Sequence, residues 1–163
     1  MNGRGKFAAV VLAITGITGV AIGAANSLRG DARSENMVDR GRYVVRITGC
    51  NDCHTPGYAQ AGGKLDEKLW LTGDSVGWQG AWGTTYPANL RLFINSLTEA
   101  QWVEIAHTLQ TRPPMPWFNL HAMSDEDLKA VYWFVRTLGP AGEPAPAYLP
   151  PGVEARTPVV KLP

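Results

Sequence analysis

The sequence predicts an all-α fold with long irregular loops, and three observations carry that prediction. Three stretches repeat apolar residues at the helical period, with capping residues at their starts or helix breakers at their ends. Residues 56–96, between the first and second of these stretches, show no strand or helix pattern and hold seven glycines and three tryptophans. No segment of the chain repeats another, and its 163 residues are enough for one domain.

The order of elements begins with "MNGRGKFAAVVLAITGITGVAIGAANS". Arg4 and Lys6 precede an uncharged run of 19 residues, Phe7–Ala25, that ends on small residues. This reads as a secretory signal peptide, residues 1–25. The run also approaches the ~20 residues that span a bilayer, so the same segment can remain as an N-terminal membrane anchor. In both cases the basic residues stay cytoplasmic and the remainder is exported. Residues 26–34 follow as a linker.

The folded body is expected over 35–138. Its first helix covers 36–49, "NMVDRGRYVVRITG", with Met37, Gly41, Val44, Val45 and Thr48 on one face and Arg40, Arg42 and Arg46 mostly elsewhere. The second begins after Thr98. Gln101 completes a capping box, and Trp102, Ile105, Ala106 and Leu109 form its stripe. Pro113 and Pro114 end it. The third begins after Ser124, with acidic residues in its first turn, and buries Leu128, Val131, Tyr132, Val135 and Leu138 with Phe134 beside them. Gly139 and Pro140 stop it. Residues 139–163 carry seven of the twelve prolines and form an extended tail. The tail is either a disordered end or a strap across a partner subunit or its own domain.

Charged residues make up 18% of the chain and the formal net charge is +1. Removal of Arg4 and Lys6 with a signal peptide leaves 13 of the 15 basic residues against 14 acidic ones. Nucleic-acid binding through a basic field is therefore excluded from the expected functions.

The only two cysteines lie in "GCNDCHTPG". Cys50-Asn51-Asp52-Cys53-His54 has the C-x-x-C-H spacing of c-type haem attachment. Two thiols add across the two vinyl groups of one haem, and the adjacent His54 is placed to ligate the iron. Export fits this chemistry. A zinc site would need Cys50, Cys53 and two of His54, His107 and His121, which lack paired metal-ligand spacing. A redox dithiol would need a βαβ context, which is missing. A local disulfide is the remaining alternative. A large apolar cofactor would also supply a core on which the irregular segment 56–96 folds.

A six-coordinate haem needs a second axial ligand. Met115, in "RPPMPWFNL", is the choice, because Pro113, Pro114 and Pro116 stiffen the segment that presents its thioether. His121 and Met123 are the alternatives; Met123 can instead pack on Leu128 as a hydrophobic staple. His107 lies away from the apolar stripe of its helix and is expected to be exposed.

Over about residues 37–139 the chain resembles class I c-type cytochromes. The resemblance rests on "GCNDCHTPG", on "PPMPWF", and on "SDEDLKAVYWFVRTLG" as the closing helix. It implies a cytochrome c-like fold in which the first and last helices cross around a covalent haem c, with Gly41 near Val131 and Phe134. The chain is most similar to single-haem cytochromes that accompany periplasmic dehydrogenases, through "YPANLRL" and "MPW" followed by "SDEDL". The Trp-rich segment 70–86 departs from that pattern, and the N-terminus and proline tail lie outside it.

The function expected is that of a periplasmic electron carrier, not an enzyme. It would move one electron at a time through a His/Met-ligated haem. Its redox partners would be a dehydrogenase subunit, an oxidase or another cytochrome, with anchoring through residues 7–25 if that segment is retained. A second reading makes the chain a fixed relay subunit of a membrane-bound oxidoreductase complex. A third makes it a haem enzyme such as a peroxidase.

Overall fold

The computed structural model describes residues 34–163, which form one compact unit. The expected signal or anchor segment and most of the linker lie outside the described residues. Six helices dominate: α1 over 34–47, α2 (Cys50–His54), α3 (Leu90–Asn95), α4 (Glu99–Thr108), α5 (Trp117–Ala122) and α6 (Asp125–Leu138). A small sheet of β1 (Gly77–Gly80), β2 (Gly83–Thr85) and β3 (Val159–Lys161) accompanies them.

The long helices follow their sequence signals. Thr98 and Gln101 form the capping box of α4, and the Ser124 hydroxyl accepts the Asp127 backbone N–H at the start of α6. On α6, Leu128, Val131, Tyr132, Phe134 and Val135 are buried, and α3 and α4 pack on this helix. Trp102 of α4 donates its indole N–H to the Leu128 carbonyl at 2.8 Å, so a large apolar ring enters the core with its polar atom paired.

Helix α1 crosses α6 at Gly41. A Cβ there would lie 2.0 Å from the Ala130 carbonyl oxygen and 2.7 Å from the Phe134 Cβ. Only glycine permits that approach. The expected contact with Phe134 is present, but the nearest backbone belongs to Ala130, not Val131. At the rim of the crossing, Arg40 reaches Asp127 at 2.8 Å.

Two short helices and the sheet were not legible in the periodicity. Asn89 caps α3 by accepting from Leu92 N–H. In the sheet, β1 pairs antiparallel with β2 and parallel with β3, giving the order β2-β1-β3. The parallel strand comes from the proline-rich tail. Leu149 also bridges Thr84, with N–H···O distances of 2.8 and 3.0 Å. The tail is thus a strap across its own domain.

The glycine-rich segment divides into two parts with different supports. Tyr58, Trp70 and Leu71 join the protein core: Trp70 meets Tyr58 and Phe134 edge to face at 5.7 and 6.1 Å. This half packs on the helices, and its Leu71 also lines a large cavity. From the other half, Trp78 and the run Thr85, Tyr86, Pro87 and Ala88 line the same cavity. Arg91 of α3 ties the first half to the C-terminal end of α6. Its buried guanidinium donates to the carbonyls of Lys68 and Gly139 at 2.7 and 2.6 Å, and to that of Leu138.

Candidate functional site

The cavity measures about 750 Å³, within the span of sites that enclose a cofactor. Its lining is mainly apolar: Val45 of α1, Leu71, Ile94, Trp102, Val131 and Val135 form part of it. Cys50, Cys53 and His54 of α2 line it too, as do Met115 and Met123.

The single turn of α2 sets the first three. Cys50 and Cys53 lie three residues apart, so they occupy neighbouring positions on one face, with His54 next to the second. The two cysteines form no disulfide with each other. Burial pushes the Cys50 thiol up, opposed by its contact with the Thr48 hydroxyl at 3.3 Å. Burial followed by the Asp52 carboxylate pushes Cys53 up. Both sulfurs are thereby kept uncharged against an apolar wall.

His54 is buried, and its Nδ1 lies 2.7 Å from the Ala88 carbonyl. A carbonyl only accepts, so Nδ1 carries the proton and donates. Burial lowers the pKa of the ring, against the opposing pull of the Ala88 bond, and so favours neutral imidazole. The remaining nitrogen, Nε2, then keeps its lone pair for a metal. The Ala88 carbonyl is itself held in place. Gly73 N–H donates to His54 O at 2.8 Å and Asp74 N–H to Pro87 O at 3.1 Å. Gly73 has φ +76°, and a Cβ on it would sit 2.8 Å from Asn89 N and 2.9 Å from Pro87 O. The segment after α2 and the segment before α3 therefore meet backbone to backbone.

Of the candidates for a sixth ligand, Met115 and Met123 both line the cavity and His121 does not. Met115 lies half-buried in the cavity lining. Met123 also lines the cavity, and it packs against the core as the C-terminal cap residue of α5. His121 is engaged elsewhere: its Nε2 donates to the Leu109 carbonyl at 2.9 Å and its ring packs 4.9 Å from that of Trp117. His107, half-buried rather than exposed, pairs with Asp125 at 2.9 Å. Among the described residues, no three His, Cys, Asp or Glu side chains gather as metal ligands, so the zinc arrangement weighed from the sequence is not assembled.

Several lining residues escaped the sequence reading. Trp78, Thr85 and Tyr86 come from the sheet region, Arg112 from the Met115 segment, and Pro146 and Tyr148 from the tail. Thr111 Oγ1 is a buried hydroxyl without a partner in this lining. The one signal that could have found Tyr148 is its position as a lone aromatic in the proline-rich tail. The cavity fits a haem: it offers an adjacent thiol pair, an imidazole nitrogen with a free lone pair, thioethers and a mainly apolar lining.

The chain belongs to the cytochrome c family, whose profile, described as Cytochrome c, matches residues 38–139. No curated protein and no solved structure matches the chain. The family binds covalent haem c with its iron, and Cys50 and Cys53 fit its C-x-x-C-H motif. The mostly helical architecture with a small sheet is a cytochrome c-like fold, and haem-based electron transfer is the function that goes with it.

Proposed function

We propose that this member of the cytochrome c family is a single-haem class I cytochrome that carries one electron at a time in the periplasm. Cys50 and Cys53 hold the haem, His54 Nε2 ligates the iron, and Met115 supplies the second axial ligand. Bound in this way, the haem supplies a one-electron couple with no open coordination position. The chain's own tasks are retention, ligand orientation and exclusion of water. The observation that carries the reading is the His54–Ala88 bond at 2.7 Å, which leaves Nε2 as the ligating atom inside an apolar cavity that Met115 also lines.

The donor and acceptor are proposed to be a dehydrogenase subunit and an oxidase or another cytochrome, met through a small transient interface. The packing of the tail on its own domain supports a free carrier over a fixed relay subunit, which would gain from a tail buried on another chain. Catalysis by an open haem has less support. His107 and His121, the histidines that could serve as acid–base groups, are bonded to Asp125 and Leu109.

Pyridine haemochrome spectroscopy of the purified protein should give one covalent haem per chain; its absence would overturn the proposal. In the ferric protein, Met115→Ala should abolish the far-red thioether-to-iron charge-transfer band, whereas Met123→Ala should retain it. A band that survives Met115→Ala would rule out the ligand assignment.

A further inference from the structure

The segment that presents Met115 has little support of its own. Residues 110–116 donate no backbone hydrogen bond to the rest of the backbone, and three of them are prolines without an N–H. Its fixed points come from elsewhere. Thr85 Oγ1 of β2 donates to the Pro113 carbonyl at 2.7 Å. The Arg112 guanidinium lies 3.7 Å from the ring centroid of Tyr148, and among the described residues Arg112 makes no ion pair. Arg112 is exposed, and a cation stacked this closely on an aromatic face still gains from the ring quadrupole.

Tyr148 is well fixed itself. Its hydroxyl donates to the Trp82 carbonyl at 2.8 Å, in the turn between β1 and β2. Its neighbour Leu149 exchanges two backbone hydrogen bonds with Thr84. Further along, β3 adds to β1. The sheet thus carries both anchors of the Met115 segment, Thr85 directly and Tyr148 through the strap. From Arg112 the chain reaches Met115 through Pro113 and Pro114, whose locked φ angles pass a displacement on instead of absorbing it.

We propose that Tyr148 is a positioning residue for Met115: by clamping Arg112, the C-terminal strap keeps the thioether on the iron and restricts access of external ligands. This rests on Met115 being the axial ligand. The strap therefore contributes to the site as well as covering its own domain. A small neutral ligand such as imidazole can enter the coordination sphere only when the Met115 segment swings away. The entry rate then reports how firmly Arg112 is held.

The test is stopped-flow imidazole binding to the full-length ferric haem protein, followed by loss of the far-red band. Tyr148→Leu keeps apolar bulk but removes the π face, and should speed imidazole entry about three- to fivefold. Tyr148→Phe keeps the face and should stay within about twofold of the wild type. Arg112→Met approaches the clamp from its other side and should match Tyr148→Leu, and the double variant should be no faster than either single one. A merely structural role would lower the unfolding temperature of Tyr148→Leu without changing the entry rate, and that result would overturn the proposal. So would wild-type entry in Arg112→Met. If the band survives Met115→Ala, the ligand assignment fails and the positioning role falls with it. If the band is lost in Met115→Ala but entry is unchanged in Tyr148→Leu and Arg112→Met, the strap proposal alone fails.

Discussion

Two segments that line the cavity are built on opposite plans. His54 sits in a helical turn, is buried, and is bonded through its ring to Ala88 and through its carbonyl to Gly73. Met115 sits half-buried in a proline segment whose position is set by side chains from β2 and the strap. The first arrangement orients a strong nitrogen donor through hydrogen bonds to main-chain carbonyls and between main-chain segments. The second holds a weak sulfur donor through a few side-chain contacts, each of which can be removed singly. Under the proposed ligation, retention of the cofactor would fall to the first segment and control of the iron's last position to the second.

Substitution of His54 is the strongest way to break the contrast. His54→Ala should leave little or no covalent haem per chain by pyridine haemochrome, whereas Met115→Ala should keep it and lose only the far-red band. Equal haem loss in both variants would mean that the two segments share one role.

A smaller effect is expected at Asn89, beside the acceptor of the His54 bond. Its side chain caps α3 through Leu92 N–H at 3.0 Å and donates to the strap at Ala141 O and Glu143 O, at 2.8 and 3.1 Å. Asn89→Ala should cost about 1–2 kcal/mol in chemical denaturation, from the lost cap and the carbonyls left without a donor. Because Asn89 touches both the His54 support and the strap, its effect on imidazole entry would sharpen the comparison. Unchanged entry would confine control of Met115 to the Tyr148 end of the strap.

The smallest effect lies outside both segments. The Arg40 guanidinium, through a direct hydrogen bond, holds the Asp127 carboxyl below its ordinary value of 3.8. A depressed carboxyl contributes stability that is complete above the unfolded value and is lost as pH falls through the folded one. Acid unfolding of Asp127→Asn and the wild type should therefore differ at neutral pH and converge below pH 3.8, with the far-red band at neutral pH the same in both. A changed band would show that the α1–α6 rim, too, positions Met115.

Legibility in the sequence followed the range of each interaction. The caps at Thr98 and Ser124 bond to residues three positions away, so Gln101 and Asp127 announced α4 and α6 directly. Helices α3 and α5 have six residues each, too few for a periodic stripe to emerge. The sheet was hidden because β3 reaches β1 from the far end of the chain, pairing Val159 with Gly77. A three-residue strand gives no alternation long enough to read.

The candidate site divides along the same line. The attachment motif is local: its spacing is a property of one turn, so "CNDCH" by itself determined the cofactor and two of its attachment points. The sequence also restricted the sixth-ligand candidates to a few residues. Only the tertiary structure turned His121 toward Leu109 and left Met115 and Met123 in the cavity lining. It also decided that Ala88, 34 residues from His54, sets the imidazole tautomer, and that Tyr148, 66 residues from Trp82, stands over Arg112. Residue spacing encodes geometry across one helical turn; contacts between distant segments arise only when the whole chain packs.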